Sequence, residues 1–271
     1  PALAARLAGG TGPHRPGRAA AHGARRYLKA LYGRYDLLLA PSDWMTRQLR
    51  EWGLQRALHQ PLGVDCSVFH PHARDPLWRW QLEQSLQVPP GTRLLVYVGR
   101  FGPEKNLDVL AAAVRRLGAG HVLLAVGAGP CPPQGERVRV LPPERDRPRL
   151  ARLLAGCDAF VHAGDQETFG LAALEAMACG TPVVVARAGG LGELAEGAGI
   201  TVHGRHAAAW AEGIAASLRD AAQPPAAALQ RAQAHDWPRV LAHWCVHYHR
   251  ILGTHATVPQ GPVLMAMGAR E

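Results

Sequence analysis

The stretch Cys157–Arg187 constrains the fold of this 271-residue chain more than any other segment. An apolar run at Ala159–Ala163 predicts a short buried strand, and a polar turn ends it. A helical pattern starts at Phe169 and stops at Gly180-Thr181-Pro182, after which Val183–Val185 predicts another strand. Strand, loop, helix and strand in this order predict a parallel α/β unit, in which ligands bind at the carboxyl ends of the strands.

Two carboxylates, Glu167 in the loop and Glu175 in the helix, flank the predicted N-terminus of that helix. The free backbone N–H groups of a helix N-terminus favour an anion. Three roles are open for Glu167 or Asp165, namely general base, metal ligand and acceptor of hydroxyl hydrogen bonds. Taken alone, Glu175 has a further explanation, because an acidic residue in the first turns complements the helix dipole.

From Thr92 onward, strands alternate with helices. The further predicted strands are Leu94–Val98, Val122–Val126, Val138–Leu141 and Gly199–Val202. The further predicted helices cover about 106–117, 147–155, 206–219, 225–235 and 237–252. This alternation predicts an α/β fold with one complete, Rossmann-like, doubly wound parallel sheet.

The segment before Thr92 supplies too few strands for a second complete sheet. It contains a predicted helix at Arg18–Tyr35, a strand at Asp36–Ala40, a helix at Trp44–Trp52 and a strand at Ala57–Leu62. Residues 64–91 are polar and contain prolines around a short helix, and we interpret them as a linker. The sequence therefore predicts an incomplete α/β unit ahead of the complete one.

The composition indicates the class of protein but does not identify a binding partner. A hydrophobic content of 48% and a charged content of 19% are typical of a soluble globular protein. The net charge of +9 permits an anionic partner, whether nucleic acid, acidic phospholipid or phosphorylated substrate. The five cysteines form no CxxC pair, which favours reduced core residues of a cytoplasmic protein. No apolar run approaches the roughly 20 residues of a membrane span.

The predicted helix Arg18–Tyr35 has two interpretations. One is an amphipathic helix with a solvated basic face, and the other is contact with an anionic membrane surface. Binding of nucleic acid would depend on charge alone. The chain lacks the interleaved aromatic and basic residues of a strand-binding face, so no nucleic-acid partner is predicted.

The loop Gly99–Asn106, GRFGPEKN, places two cations, Arg100 and Lys105, beside a turn and a helix N-terminus. This is a phosphate-binding arrangement, although an ordinary loop with two solvated charges is the alternative. The loop is not a Walker A motif, because Glu104 replaces the second glycine and Asn106 replaces the Ser/Thr.

Two weaker motifs have structural explanations. Gly127-Ala128-Gly129 follows a strand, but Pro130 argues against a dinucleotide-binding fingerprint and favours a tight turn. His243 and His247 stand four residues apart on a predicted helix, the spacing that lets two histidines share a metal. No carboxylate completes that set and Trp244 lies between them, so packing is favoured and no metal site is predicted.

GRFGPEKN at 99–106 is followed by ETFGLAALEAMACGTPVV at 167–184, in which two glutamates stand eight residues apart. In combination these motifs resemble the donor domain of the GT-B retaining glycosyltransferases of family 4, the group 1 glycosyltransferases. DLLLAPSDWM at 36–45 and PLGVDCSVFHP at 61–71 resemble the end of that family's acceptor domain and its linker. The resemblance runs from about Tyr35 to Ile200.

The resemblance implies roles by position. Arg100 and Lys105 would hold a diphosphate and offset charge on the leaving nucleotide, while Glu167 would accept hydrogen bonds from sugar hydroxyls. These three are the implied catalytic residues, and Glu175 would bind the ribose hydroxyls. Gly170 would let the backbone approach the ligand closely. The implied donor-binding set is Gly99, Arg100, Lys105, Glu167, Thr168, Phe169, Gly170, Leu171 and Glu175.

The implied reaction transfers a hexosyl group, such as mannose or glucose, from a nucleoside diphosphate sugar to a lipid or saccharide hydroxyl. Configuration would be retained, and neither a metal nor a cofactor is expected besides the nucleotide sugar as co-substrate. A nucleotide-sugar-binding module without catalysis is the alternative, because most of the acceptor domain has no counterpart in the sequence. The expected location is the cytoplasm, at the inner face of the membrane if the basic helix contacts lipid.

The resemblance also implies a division of the chain. Residues 1–63 would be the remnant of the acceptor domain, 64–91 the linker and 92–235 the donor domain. Residues 236–253 would form a C-terminal helix that returns to the N-terminal domain, and 254–271 a loose tail. Because the chain opens without Met, we expect it to be a fragment of a longer protein.

Overall fold

The computed structural model describes residues 18–219 and 225–253, so the predicted tail lies outside the described residues. Its N-terminal unit comprises helix α1 (Arg18–Tyr32), strand β1 (Leu38–Ala40), helix α2 (Asp43–Glu51) and strand β2 (Ala57–His59). The two strands pair in parallel as a separate two-stranded sheet. The predicted incomplete N-terminal α/β unit is therefore confirmed.

Helix α3 (Pro76–Leu86) leads into a larger sheet of six strands. They are β3 (Arg93–Val98), β4 (His121–Val126), β5 (Val138–Leu141), β6 (Ala159–His162), β7 (Val183–Ala186) and β8 (Ile200–Val202). The helices between and after them are α4 (Leu107–Leu117), α5 (Arg147–Gly156), α6 (Leu171–Ala178), α7 (Gly189–Ala195) and α8 (Ala207–Arg219). Two more helices follow, α9 (Ala226–Ala234) and α10 (Trp237–Leu252).

The six strands lie in the order β5-β4-β3-β6-β7-β8, and every neighbouring pair is parallel. The chain runs from the central β3 out to β5, returns to the centre at β6 and continues to β8. The strand order therefore reverses between β3 and β6, and such a reversal opens a crevice at the carboxyl ends of the two strands. The predicted doubly wound parallel sheet is confirmed.

Both faces of this sheet are buried. Side chains along a strand alternate between its faces. Leu94 and Val96 of β3 pack in the core that includes α5, α6 and α9, whereas Leu95 and Tyr97 pack in the core that includes α4 and α8. Because helices cover both faces, groups that perform chemistry are confined to the strand ends and the loops that follow them.

The segment 64–91, predicted as a linker, packs against the six-stranded sheet. Phe69, Leu86 and Val88 are buried in the core that includes α5 and α6. Helix α3 begins with Asp75 as its N-cap, whose carboxylate accepts the amides of Leu77 and Trp78. This segment is thus an integral layer of the larger domain.

A partly buried arginine, Arg79, holds α3 to the sheet. Arg79 donates to the carbonyl oxygen of Thr92 (2.7 Å) and contacts Asp158, with Nη1 3.1 Å from Oδ2. Asp158 also accepts the amide of Leu94, with N and Oδ2 2.8 Å apart. Through this pair, α3 fixes the starts of both β3 and β6, the strands whose far ends form the crevice.

Helix α10 begins beside the end of β2. The amide of Val64 donates to the carbonyl of His235 (2.9 Å), and the amide of Trp237 donates to the carbonyl of Val64 (3.1 Å). The side chain of Gln60 donates to the carbonyl of Val240 at 3.4 Å.

None of the helices within 18–219 and 225–253 is long and apolar enough to span a membrane.

Helix α7 has no counterpart among the predicted elements. Its sequence, GGLGELA, contains three glycines, which are poor helix formers, and it is too short to display a helical apolar period. Leu191 and Leu194 are nevertheless buried in the main core. Tertiary packing of these two side chains therefore determines a helix that local propensity does not predict.

Replacing Arg79 with methionine should lower the free energy of unfolding by about 3 kcal/mol, because Asp158 and backbone carbonyls lose a buried partner. Arg93→Met is the matched control. Arg93 also contacts Asp158 (2.9 Å), but its side chain is 50% exposed, so its loss should be below about 1 kcal/mol. Urea denaturation of both variants measures the two losses, and equal values would contradict the assigned role of Arg79.

Candidate functional site

The crevice at the strand-order reversal contains a cavity of about 140 Å³. Two loops border it, the β3 loop (residues 99–106) and the β6 loop (residues 163–170). The cavity is lined by Tyr97, Val98, Gly99, Lys105, His162, Glu167, Gly170, Leu171, Ala172, Ala173 and Leu191. Five of the predicted site residues, Gly99, Lys105, Glu167, Gly170 and Leu171, therefore meet at one cavity.

The β3 loop is held against the turn that follows β4. The amide of Phe101 donates to the carbonyl of Ala128 (2.9 Å), and the Phe101 ring is buried. A Cβ atom on Gly127 would lie 1.9 Å from the carbonyl oxygen of Gly99, so only glycine permits this approach. Gly127-Ala128-Gly129 thus has the structural role of a tight strand-exit turn.

Asn106 joins the β3 loop to the β6 loop. Its side-chain Nδ2 donates to the carbonyl of Ala163 at 2.9 Å, and the residue is buried. Its backbone adopts the left-handed conformation with φ 51°, which asparagine tolerates better than most residues. The asparagine that distinguishes this loop from a Walker A motif therefore fixes the spacing of the two loops.

Lys105 and Glu167 form an ion pair at the cavity. Nζ of Lys105 contacts Oε1 of Glu167, and the two side chains are only 16% and 20% exposed. His162 approaches the same oxygen, with Nε2 3.3 Å from Oε1. Both contacts reach Oε1 of Glu167, whose side chain lines the cavity.

His162, which lies at the end of β6, was not among the predicted site residues. The amide of Gly164 donates to its Nδ1 at 3.1 Å, an arrangement that places the proton of a neutral ring on Nε2. That proton points to Glu167. The ring is buried and packs against Tyr97, with centroids 5.2 Å apart. His162 lies within the apolar run Ala159–Ala163, and a histidine inside a predicted strand is usually a packed core residue. The sequence pattern therefore gave no indication of a functional role.

The charge state of Glu167 follows from these partners. Burial would raise the pKa of its carboxyl group, but the hydrogen bond and charge of His162, together with those of Lys105, outweigh burial. The net effect lowers the pKa of Glu167 to about 2. Glu167 is therefore a carboxylate at neutral pH, suited to accept hydrogen bonds and unsuited to serve as a general base.

The N-terminus of α6 opens onto the same cavity. Its N-cap, Gly170, has φ 114° and no side chain caps the helix. The first backbone N–H groups of a helix lack intrahelical partners, and here they belong to Leu171, Ala172 and Ala173, which line the cavity. This helix end adds partial positive charge beside Lys105 and favours an anionic group.

Four predicted residues do not line the cavity, and three of them lie in the β3 and β6 loops. Arg100 forms an ion pair with Glu104 of its own loop, and its side chain is 48% exposed. Phe169 is buried and packs against the ring of His235 at 5.8 Å. The carbonyl of Thr168 accepts a hydrogen bond from Ser42. Their roles in binding a donor stay predictions.

Glu175 lies one turn farther along α6 and also outside the cavity lining. It is partly buried. Burial raises the pKa of its carboxyl group to about 7, and the charge of Arg147 counteracts only part of this rise. A carboxyl group that is costly to ionise is typical of a ligand-binding position.

The described residues contain no group of three His, Cys, Asp or Glu side chains arranged to hold a metal ion. The chemistry that the cavity offers is instead the binding of a polar anion. Lys105 and the N-terminus of α6 supply positive charge, and Glu167 supplies a hydrogen-bond acceptor next to it. A ligand with phosphate and hydroxyl groups matches this combination.

Comparison with known proteins points to one family. Residues 92–220 match the family model described as glycosyl transferases group 1. The GDP-mannose-dependent alpha-(1-6)-phosphatidylinositol dimannoside mannosyltransferase of Mycobacterium tuberculosis is 36% identical over 169 residues, covering 59% of this chain and 43% of that protein. The D-inositol 3-phosphate glycosyltransferase of Mycobacterium marinum is 34% identical over 212 residues, covering 70% and 44%. The chain thus spans less than half the length of both.

Among solved structures, Anabaena HepE in complex with UDP and glucose superposes with a TM-score of 0.73. The two chains are 22% identical, and the match covers 86% of this chain and 67% of that one. At this identity the likeness concerns the fold, which is the GT-B fold of glycosyltransferases.

Replacing Glu175 with glutamine should stabilise the protein increasingly as the pH rises. Because the pKa of Glu175 is raised from 4.5 to about 7, folded and unfolded states are equally protonated below pH 4.5, and the folded state carries the full cost of ionisation only above pH 7. We expect the variant's advantage in free energy of unfolding to grow from near zero at pH 4.5 to about 2–3 kcal/mol at pH 8.

Urea denaturation at a series of pH values measures this difference. Glu212→Gln on α8 is the matched control, since the Glu212 side chain is exposed. An advantage for Glu175→Gln that does not change with pH would contradict the raised pKa.

Proposed function

Because residues 92–220 belong to the glycosyl transferases group 1, we propose that the chain transfers a hexosyl group from a nucleoside diphosphate sugar to a lipid or saccharide hydroxyl, with retention of configuration. The observation that carries this proposal is the Lys105–Glu167 ion pair at the uncapped N-terminus of α6. It combines a cation, oriented N–H groups and a fixed carboxylate at the crevice where α/β proteins bind nucleotides.

In the proposed donor complex, the diphosphate lies at the N-terminus of α6 within reach of Lys105. A hydroxyl of the donor sugar donates to Glu167, whose low pKa keeps it a carboxylate acceptor. Glu175 accepts the ribose hydroxyls and thereby exchanges an unfavourable carboxylate environment for hydrogen bonds. Arg100 would have to exchange Glu104 for phosphate before it could contribute.

The proposed reaction breaks the bond between the anomeric carbon and the β-phosphate oxygen, and the electron pair stays on that oxygen. Lys105 and the α6 N–H groups stabilise the charge as it develops. The acceptor hydroxyl bonds to the anomeric carbon on the face from which the nucleotide leaves, and its proton passes to the leaving phosphate oxygen. No protein nucleophile is required, which agrees with the commitment of Glu167 to His162 and Lys105.

The names of the relatives suggest which substrates to test first. One similar protein is named as GDP-mannose-dependent and as acting on a phosphatidylinositol dimannoside, and another as acting on D-inositol 3-phosphate. GDP-mannose and UDP-glucose are therefore the first donors to test, with phosphatidylinositol mannosides and inositol phosphate as acceptors. Release of GDP or UDP that depends on the acceptor would support transfer.

A nucleotide-sugar-binding module without catalysis is the second candidate. It is favoured by one observation, that the match covers only 43% and 44% of the two relatives. Donor binding by calorimetry, together with no acceptor-dependent nucleotide release, would support this candidate over the enzyme.

We place the protein in the cytoplasm, because all five cysteines are free thiols and a reducing compartment preserves them. Helix α1 suggests contact with an anionic membrane. Arg25, Arg26 and Lys29 are exposed on it together with Tyr27, which is 61% exposed, and Leu31. Basic and aromatic side chains on one exposed helix favour an acidic lipid surface.

Lys105→Met should raise the dissociation constant for the nucleoside diphosphate at least about tenfold, because one charge-assisted hydrogen bond to phosphate is lost. Lys29→Met is the matched control, since Lys29 and Lys105 are the two lysines of the chain and Lys29 lies on α1. Calorimetric titrations with GDP and with UDP measure both variants. Equal affinity of Lys105→Met and the unmodified protein would contradict the assignment.

Charge reversal at Arg25 and Arg26 should reduce binding to anionic vesicles about tenfold or more, because each basic residue near such a surface contributes about 1 kcal/mol. Co-sedimentation with phosphatidylserine-containing vesicles, compared with phosphatidylcholine vesicles, measures this binding. Reversal at Arg115 and Arg116 on α4 is the control. An equal effect of both pairs would indicate attraction by net charge and contradict a specific role of α1.

A further inference from the structure

The start of α2 lies directly against the β6 loop. Ser42, its N-cap, donates from Oγ to the carbonyl oxygen of Thr168 at 2.7 Å. The same Oγ accepts the amide of Met45 at 3.1 Å, which caps the helix. Ser42 is only 2% exposed, whereas Thr168 is exposed, so the bond is partly shielded from water. A residue of the N-terminal unit thus holds the backbone next to Glu167.

Helix α7 completes a triangle with α2 and the β6 loop. The amide of Gly190 donates to the carbonyl of Glu167 at 2.8 Å. The carboxylate of Glu193 accepts the amides of Asp43 and Trp44, both at 2.8 Å. Each of the three elements is therefore hydrogen-bonded to the other two, and two consecutive carbonyls of the β6 loop have fixed partners.

The packing at this junction leaves no room for displacement. A Cβ atom on Gly190 would lie 2.1 Å from the carbonyl oxygen of Thr168 and 2.7 Å from Oγ of Ser42. The backbone of Gly190 lies against the Thr168 carbonyl, which also accepts the hydrogen bond from Ser42. The position of the β6 loop therefore depends on the position of α2. The Glu167 side chain extends from the same loop to Lys105.

We infer that Ser42 is a positioning residue for the β6 loop, holding the Thr168 carbonyl so that Glu167 stays paired with Lys105 at the cavity. Its value for sugar binding rests on the proposed function. The pairing itself does not, because it exists in the ligand-free protein. The N-terminal unit thereby contributes to the site through Ser42, which lies in the segment DLLLAPSDWM and was not among the predicted site residues.

Ser42→Gly removes the hydroxyl, while glycine is itself an acceptable N-cap. Asp75→Gly is the matched control, because it removes the N-cap side chain of α3, away from the β6 loop. The readout is acetylation of Lys105 relative to Lys29 in the ligand-free protein, quantified by mass spectrometry of peptides. Lys29 corrects for reagent and time, and Asp75→Gly corrects for general opening of the fold.

In Ser42→Gly we expect the Lys105/Lys29 acetylation ratio to rise about fivefold, the change expected when one buried hydrogen bond is lost. Asp75→Gly should leave the ratio within about twofold of the unmodified protein. Ser42→Cys, which keeps the side-chain volume but donates weakly, should raise the ratio in the same direction. An unchanged ratio in both Ser42 variants, or an equal rise in Asp75→Gly, would overturn the inference.

Titration with GDP-mannose, GDP, UDP-glucose and UDP separates this inference from the proposed function. If Ser42 positions the sugar-binding carboxylate, Ser42→Gly should lose more affinity for the nucleotide sugar than for the nucleotide, about fivefold against less than twofold. Equal losses would overturn a role in sugar binding. Failure of the unmodified protein to bind any of the four would contradict the proposed function, while the acetylation ratio would still decide the role of Ser42.

Discussion

The candidate site depends on the Lys105–Glu167 ion pair, and contacts elsewhere in the structure fix the position of that pair. Its partners stand 62 residues apart in sequence and meet because the strand order reverses between β3 and β6. Arg79 and Asp158 fix the starts of these two strands, and Asn106 fixes the spacing of the loops at their far ends. The pair is thus held at both ends of the sheet, although neither residue belongs to a strand.

A cation already paired with a carboxylate has a consequence for ligand binding. A phosphate that approaches Lys105 shares the ammonium group with Glu167. A ligand that carries both a phosphate and hydroxyl groups can engage Lys105 and Glu167 together and satisfy both. For the proposed nucleotide-sugar donor, the phosphate would engage Lys105 while a sugar hydroxyl engages Glu167, so both members of the pair would be satisfied.

The sequence predicted the sheet well because β3, β4, β6 and β7 are largely buried apolar runs. It predicted Lys105 and Glu167 because each lies in a loop after such a run. Three features escaped prediction for physical reasons. His162 lies inside an apolar run. Its contact with Glu167 depends on the direction that the chain takes after β6, which the apolar pattern does not indicate. Helix α7 forms because Leu191 and Leu194 are buried in the core, although the glycines in its sequence are poor helix formers. Ser42 precedes a predicted helix, but its hydrogen bond to the Thr168 carbonyl joins residues 126 apart in the sequence.

The N-terminal unit is joined to the larger domain at two separate places, which restricts how the two parts can move. One is the junction of Ser42 and Glu193 with the β6 loop and α7. The other is the parallel backbone pairing of Val64 with His235 and Trp237. Rotation about either contact alone would break the other. Any opening of the crevice in this part of the chain therefore has to break the partly buried Ser42–Thr168 hydrogen bond. The β6 loop would then lose the contact that holds its backbone to α2.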